Sequence, residues 1–375
     1  MTPHARVRTG AAISYAITKK ALFSLDPHTA HELALTVLSA VDASPLLQKI
    51  VRPAASAVDP RLTVDTLGLR FTHPVGLAAG FDKNARAPRA LAALGFSHLE
   101  IGTVTAQAQE ENPRPNMFRL PDDRALVNRL GFPNEGAEAV TKRLAAKGCS
   151  VPVGVSIGKS RVVPLEPTLR AIEDYVASFR FAKKALASVK GFVVVNVSSP
   201  NTKDLRAMQG AAIARLLLNA IQAENQGASR VPVLLKVAPD LDDAALEALL
   251  AVVDETKLDG VVATNTTITR KDLRTPAERV LAIGAGGLSG PPVHARALEV
   301  VTRTRKRLGP KTTIIGVGGI TNGETALAML KAGADLLQLY TGFVYGGPYV
   351  AVALAREIAA ELDRTGAQTL AELVR

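Results

Sequence analysis

Cys149 is the only cysteine in the chain, and that scarcity closes several routes at once. No internal disulfide can form, and neither a cysteine-ligated iron–sulfur cluster nor a zinc–thiolate site can be built. The six histidines include no H-x-x-x-H pair beside an acidic helper, so no metal centre is expected. Tryptophan is absent and aromatics make up only 4%. With the basic residues dispersed rather than run together, a dedicated nucleic-acid surface is not expected either. No stretch of about 18 apolar residues reads as a transmembrane helix. The N-terminus carries Arg6, Arg8, Lys19 and Lys20 with no acidic residue before Asp26. Its apolar residues are broken by Ser, Thr and Tyr, unlike a secretory core. A transit peptide and an interfacial amphipathic helix both fit these residues.

What remains is a 375-residue chain of formal charge +11, long enough for a sizeable α/β core without staples. The positive excess suits a small anionic substrate or an anionic lipid surface, with plain solubility as the simpler explanation. The most informative stretch is Gly191 to Thr202 (GFVVVNVSSPNT). Its first half is a β-branched apolar run that reads as a buried strand; its second half turns abruptly to amides, hydroxyls and a proline.

The same theme recurs. Eight apolar strands with polar or glycine-rich ends are expected at Pro74–Lys83, Ser97–Thr105, Val151–Lys159, Gly191–Pro200, Val231–Pro239, Asp259–Thr267, Thr312–Ile320 and Ala334–Gly342. Helical patterns such as Ala244–Val253 and Glu324–Leu330 separate them. Strand–helix alternation implies parallel strands, because parallel neighbours need a crossover. Eight units point to a closed (β/α)8 TIM barrel. An open doubly wound sheet is the alternative, weakened because no G-x-G-x-x-G follows the first strand. In the barrel, the polar strand ends converge on one face: Lys83, Thr103, Ser156, Asn196, Ser199, Lys236, Asn265, Thr266, Gly319, Tyr340 and Thr341.

Lys236 sits inside the run Val233–Val237. A lysine within a strand buried on both faces needs an anionic partner, which a bound anion would supply. Gly318-Gly319 and Tyr340-Thr341-Gly342, after the seventh and eighth strands, stand where such barrels bind phosphate through backbone N–H groups. Gly286 to Pro291 reads as a flexible loop near that phosphate, or simply a long turn. Residues 1 to about 60 read as a separate helical unit: Asp26-Pro27 is a cap followed by proline, and Ala34, Val37, Leu38 and Val41 share one face. Such a face usually packs on its parent domain, although Ala11 to Phe23 with its lysines also suits a membrane surface. Arg61 to Phe71 reads as a hairpin plugging the N-terminal mouth of the barrel.

Ten ordered motifs carry a family resemblance: LAAGFDKN (77–84), EIGTVTAQAQ (100–109), NPRPNMFRL (112–120), NRLGFPN (128–134), VNVSSPNT (195–202), KVAPDL (236–241), ATNTT (263–267), GGLSG (286–290), IIGVGGI (314–320) and LYTGF (339–343). Together they resemble the class 2, quinone-dependent dihydroorotate dehydrogenases from about residue 20 to 350. The resemblance implies an FMN-binding barrel at 61–375 that oxidises (S)-dihydroorotate to orotate in pyrimidine synthesis. It also implies an N-terminal unit at 1–60 through which a membrane quinone enters. Matching positions imply substrate contacts at Lys83, Asn128, Arg129, Leu130, Gly131, Phe132, Asn196, Asn201, Asn265 and Thr266. Cofactor contacts are implied at Ala79, Gly80, Phe81, Asp82, Lys83, Thr103, Ser156, Asn196, Lys236, Thr264, Ser289, Gly290, Gly319, Tyr340 and Thr341.

By the same resemblance Ser199 is the base that takes the C5 proton. Its proton must leave through a relay, for which Thr202 and a water beside Phe132 are the candidates. His31 and Arg119 match residues near the quinone. Related class 1 enzymes use cysteine as base; here Cys149 precedes the third strand, which favours class 2. Ser156 stands where the family usually has asparagine, a departure that leaves room for a water. The expected setting is peripheral, on the cytoplasmic face of a bacterial inner membrane, with the protein monomeric. Two other readings are a tRNA dihydrouridine synthase, which would use the basic charge for RNA, and a membrane-bound scaffold with a dead site.

Overall fold

The computed structural model describes residues 15, 18–52, 58–202 and 205–374. Eight strands pair in chain order: β1 (Val75–Leu77), β2 (Leu99–Val104), β3 (Val153–Ile157), β4 (Gly191–Asn196), β5 (Val233–Val237), β6 (Gly260–Ala263), β7 (Thr313–Val317) and β8 (Leu336–Leu339). All neighbours are parallel, and β8 returns to β1 with Leu337 beside Val75. That last pairing closes the ring and removes the open-sheet alternative, since no edge remains. Each strand lies within its expected span but is shorter, because the polar ends turn out of the ladder to form the rim. The helices expected between strands are present at Asp243–Glu255 and Gly323–Lys331.

The N-terminal end of the barrel is stopped. Val64–Thr66 and Leu69–Phe71 pair antiparallel across Leu67-Gly68, both at positive φ (56° and 67°) as a tight hairpin turn requires. Phe71 is fully buried and packs with Phe192, Val194, Leu234, Val262, Ile315 and Leu336. These are the inward-facing residues of β4 to β8, so the hairpin is the plug expected from its sequence.

Before it lie α1 (Pro27–Ala43) and α2 (Pro45–Val51), bent by 113° at Ser44. Asp26 caps α1 by accepting from the N–H groups of His28 and Thr29. Asp42, buried near the end of α1, accepts from the N–H groups of Arg89 (2.6 Å) and Ala90 (3.2 Å). It thereby caps the helix Pro88–Ala93, which has no side-chain cap of its own, and fastens α1 to the barrel. The face of Ala34, Val37, Leu38 and Val41 packs on the parent domain only in part: Leu38 lies against the barrel core, while Val37 turns outward. Ala30 and Leu35 are the apolar side chains of α1 that bury, and Val37 is 57% exposed. Of the Ala11–Phe23 stretch, residues 11–14, 16 and 17 lie outside the described residues, as do Arg6 and Arg8.

A second correction concerns Gly286 to Pro291. Gly287–Ser289 is a strand, paired antiparallel with Ala125–Asn128, which in turn pairs with Met117–Leu120. A Cβ at Gly287 would lie 2.0 Å from Thr266 Oγ1, so glycine is there for close approach rather than flexibility. This small sheet roofs the C-terminal mouth of the barrel.

Candidate active site

Under that roof is a cleft lined by the ends of seven of the eight strands. β4 delivers Asn196, whose Nδ2 donates to Thr103 Oγ1 (2.8 Å) and whose Oδ1 accepts from Ser198 N–H (3.2 Å) and Asn265 Nδ2 (3.4 Å). Asn201 Nδ2 donates to Asn128 Oδ1 (3.0 Å). Four asparagines are thus braced in two pairs around one opening, an array of amide donors and acceptors in a buried or half-buried setting. Between them Ser199, 4% exposed, accepts the Asn201 N–H at Oγ (3.2 Å). Phe132 lies across the loop at φ 59°, a left-handed conformation that is uncommon for an aromatic residue.

Two cations face this cleft. Burial pushes the Lys83 ammonium down to about 8, against the opposing pull of Glu32, Asp82 and Glu111. Lys236 does not wait for a bound anion as the sequence suggested. Its Nζ lies 3.1 Å from Glu100 Oε1 on β2, inside the barrel.

The opposite end of the cleft is built from glycine and helix N-terminus. Gly319 adopts φ +66°, and a Cβ there would meet the His294 Cβ at 2.6 Å. Thr341 opens the helix Thr341–Gly346 and donates to Ser289 Oγ (2.8 Å). The first N–H groups of that turn have no intrahelical acceptor, so they and Gly290 and Gly319 form a cradle suited to an anion.

Most residues singled out from the sequence line this cleft: Ala79, Gly80, Lys83, Thr103, Asn128, Leu130, Gly131, Phe132, Asn196, Ser199, Asn201, Lys236, Thr264, Asn265, Thr266, Ser289, Gly290, Gly319, Tyr340 and Thr341. Five point elsewhere. The Arg129 guanidinium turns away to the carbonyls of Ile283 (2.5 Å) and Ala285 (2.9 Å). Asp82 is buried and accepts from the N–H groups of Arg86 and Ala87, both at 2.8 Å. Phe81 packs against His31, Tyr340 and Phe343. Ser156 stands behind the wall, with its Oγ 3.0 Å from Thr103 Oγ1. Thr202 is also behind it, with a buried Oγ1 that has no partner among the described residues.

Sequence reasoning missed Glu100 and Gln338, both buried inside the barrel. The signal was available: each is a polar residue in a strand otherwise apolar on both faces, the argument already applied to Lys236. Cys149 is excluded as a nucleophile on physical grounds, since burial pushes its thiol up to about 11.

A second, apolar concavity runs between the barrel, α1 and helical residues 18–24. His31, Phe81 and Arg119 line it, and Met117 and Leu126 line both it and the cleft. Surrounding atoms hold the His31 imidazole well below its usual range, desolvation being the main cause. Arg119 donates to the carbonyls of Leu22 (3.2 Å), Phe23 (3.4 Å) and Leu25 (2.7 Å). It closes the C-terminal end of that first helical segment and stacks over Phe23 at 4.5 Å.

A family model described as Dihydroorotate dehydrogenase matches residues 61–362. The chain belongs to the dihydroorotate dehydrogenase family. Its curated relatives include the dihydroorotate dehydrogenase (quinone) of Thermobifida fusca strain YX, 47% identical over 356 residues and covering 93% of each chain. That of Mycolicibacterium smegmatis is 46% identical over 361 residues, covering 96% of this chain and 98% of the relative. Among solved structures, ligand-free dihydroorotate dehydrogenase from Eimeria tenella superposes with a TM-score of 0.81 at 33% identity, over 93% of this chain and 98% of that one. The same Eimeria enzyme in complex with ferulenol gives 0.80 at 34%, over 93% and 95%. Family membership therefore extends across the dehydrogenase barrel and most of the N-terminal helices.

Proposed function

We propose that this chain oxidises (S)-dihydroorotate to orotate in pyrimidine synthesis, with FMN held in the barrel-mouth cleft and a membrane quinone as final acceptor. One observation carries the reading. The cleft joins a buried serine, paired amides and an anion cradle in one space, and it shares the wall of Met117 and Leu126 with an apolar groove.

The residues present suit FMN. Gly319 and the turn at Thr341 offer N–H groups to a phosphate. Gly80, at φ +100° with the Tyr340 ring 3.4 Å from where a Cβ would be, lets backbone approach a flat ring closely. Gln338 has both amide atoms buried without partners among the described residues, as expected of a polar group that a ligand satisfies. Bound there, FMN supplies the acceptor for the C6 hydride and passes the electrons on to quinone.

The chain's own residues then divide the work. Lys83 and the amides of Asn128, Asn196, Asn201 and Asn265 bind and orient the carboxylate and ring of the substrate, with Thr266 beside them. Ser199 Oγ takes the C5 proton. The buried Thr202 hydroxyl and a water at Phe132 carry that proton away. Lys236 stabilises negative charge where the hydride arrives. His31 and Arg119 border the quinone groove.

Six exposed apolar side chains, Leu25, Leu33, Val37, Leu46, Leu47 and Ile50, cluster on the N-terminal helices. No single helix among the described residues is long and apolar enough to cross a membrane. This surface suits peripheral seating in one leaflet, on the cytoplasmic face of a bacterial inner membrane, with residues 1–60 as the quinone-access unit of a monomer. Purified protein should be yellow, and dihydroorotate should drive reduction of a quinone analogue. Colourless protein that retains no flavin when reconstituted would sink the proposal.

A further inference from the structure

Glu100 on β2 and Lys236 on β5 meet inside the barrel although β3 and β4 separate their strands. The carboxylate and ammonium are 3.1 Å apart, with side-chain exposures of 0% and 6%. Gly154, paired with Glu100 in register on β3, makes room for the Phe192 ring, which lies 2.6 Å from where a Cβ would be. Lys236 lines the cleft and so does Gln338, whereas Glu100 stands beneath them. Glu100 Oε2 and both amide atoms of Gln338 are buried without partners among the described residues. His98, which shares this interior, is pushed down to about 3 by burial and is uncharged at neutral pH. Glu100 is therefore the anion that faces Lys236 at the floor of the cleft.

The pairing has an electrostatic consequence. A lone buried ammonium would present its full charge to whatever lies above, in a medium where charges act strongly. Paired with a carboxylate it presents a dipole, and its position is fixed by that contact. We propose that Glu100 is a positioning residue acting through Lys236: it holds the ammonium at the cleft floor and lowers the positive potential there, so that bound flavin has a lower midpoint potential and gives up electrons to quinone more readily. This rests on the placement of FMN in the cleft.

The test is spectroelectrochemical titration of the full chain with its flavin bound. Glu100→Gln removes the charge and keeps the shape. It should shift the reduced-to-oxidised equilibrium at least tenfold towards reduced, a rise of about 30 mV for a two-electron couple. Glu100→Asp should restore at least half of that shift. Lys236→Met should move the potential the other way, and adding Glu100→Gln to Lys236→Met should change it little, because Glu100 acts through the lysine. If Glu100→Gln does not fold, the comparison of Lys236→Met with the double variant still decides the matter. An unchanged or lower potential in flavin-loaded Glu100→Gln overturns the inference, as does an equal shift with and without Lys236. Failure of the wild-type chain to retain flavin would instead defeat the functional reading on which it rests.

Discussion

Asp42 at the end of α1 and Lys147 on the barrel form an ion pair of 2.6 Å in which the aspartate side chain is 1% exposed. The same carboxylate caps the helix Pro88–Ala93, so one residue ties the end of α1 to the barrel at two points. Asp42→Ala leaves two helical N–H groups without their acceptor and Lys147 with only the Arg86 carbonyl, and should destabilise the protein by about 3 kcal/mol. Thermal unfolding checks the loss. Stopped-flow kinetics should show the quinone half-reaction suffering more than flavin reduction.

Ser199→Ala removes the proposed base while leaving the amide framework in place. Flavin reduction by dihydroorotate should fall by about 10²–10⁴, whereas flavin retention and oxidation by quinone stay near wild type. Wild-type-like reduction would remove Ser199 from the mechanism.

Lys83 titrates at about 8 in the open cleft, and the substrate carboxylate needs its charged form. On the substrate-binding side kcat/KM should therefore decline as pH rises through about 8, since kcat/KM reports groups of the free enzyme. Lys83→Met should raise KM steeply and abolish that alkaline limb; an unchanged limb would assign it to another group.

Arg119 satisfies three carbonyls of residues 22–25 with one planar fork. Arg119→Lys keeps the charge but not the fork, so it should behave like Arg119→Ala. Both should raise the KM for a quinone analogue with little effect on flavin reduction. A lysine variant indistinguishable from wild type would show that charge alone matters.

Burial lowers His73 to about 4 and His98 to about 3. Both are neutral in the folded protein and become charged on unfolding in acid. Their stability contribution is whole above about 6.5 and is lost as pH falls towards the folded values, at about 1.4 kcal/mol per pH unit for each. The melting temperature should drop steeply between pH 6.5 and 4, and His73→Gln should flatten that slope.

Fold and site were legible in different ways. β-branched runs with polar ends located all eight strands, because a strand buried on both faces has few sequence solutions. Side-chain direction was harder. Asn128 faces the cleft while its neighbour Arg129 faces away, as alternate residues leaving a strand must, and a motif match treats the two alike. Glu100 went unnoticed because its partner is 136 residues away, a distance along the chain that only barrel closure brings to contact. Gly286 to Pro291 read as a flexible loop or a long turn because an exclusion, the Thr266 hydroxyl opposite Gly287, is invisible in one dimension.

The hairpin that seats Phe71 in the barrel leaves the molecule with one usable mouth. On the proposed function dihydroorotate and quinone both arrive at that end, with the wall of Met117 and Leu126 between their approaches. Each therefore meets the cofactor without displacing the other. Ping-pong kinetics should follow, and a compound that fills the apolar groove should leave the affinity for dihydroorotate unchanged. Traffic through this enzyme is two cul-de-sacs sharing one wall.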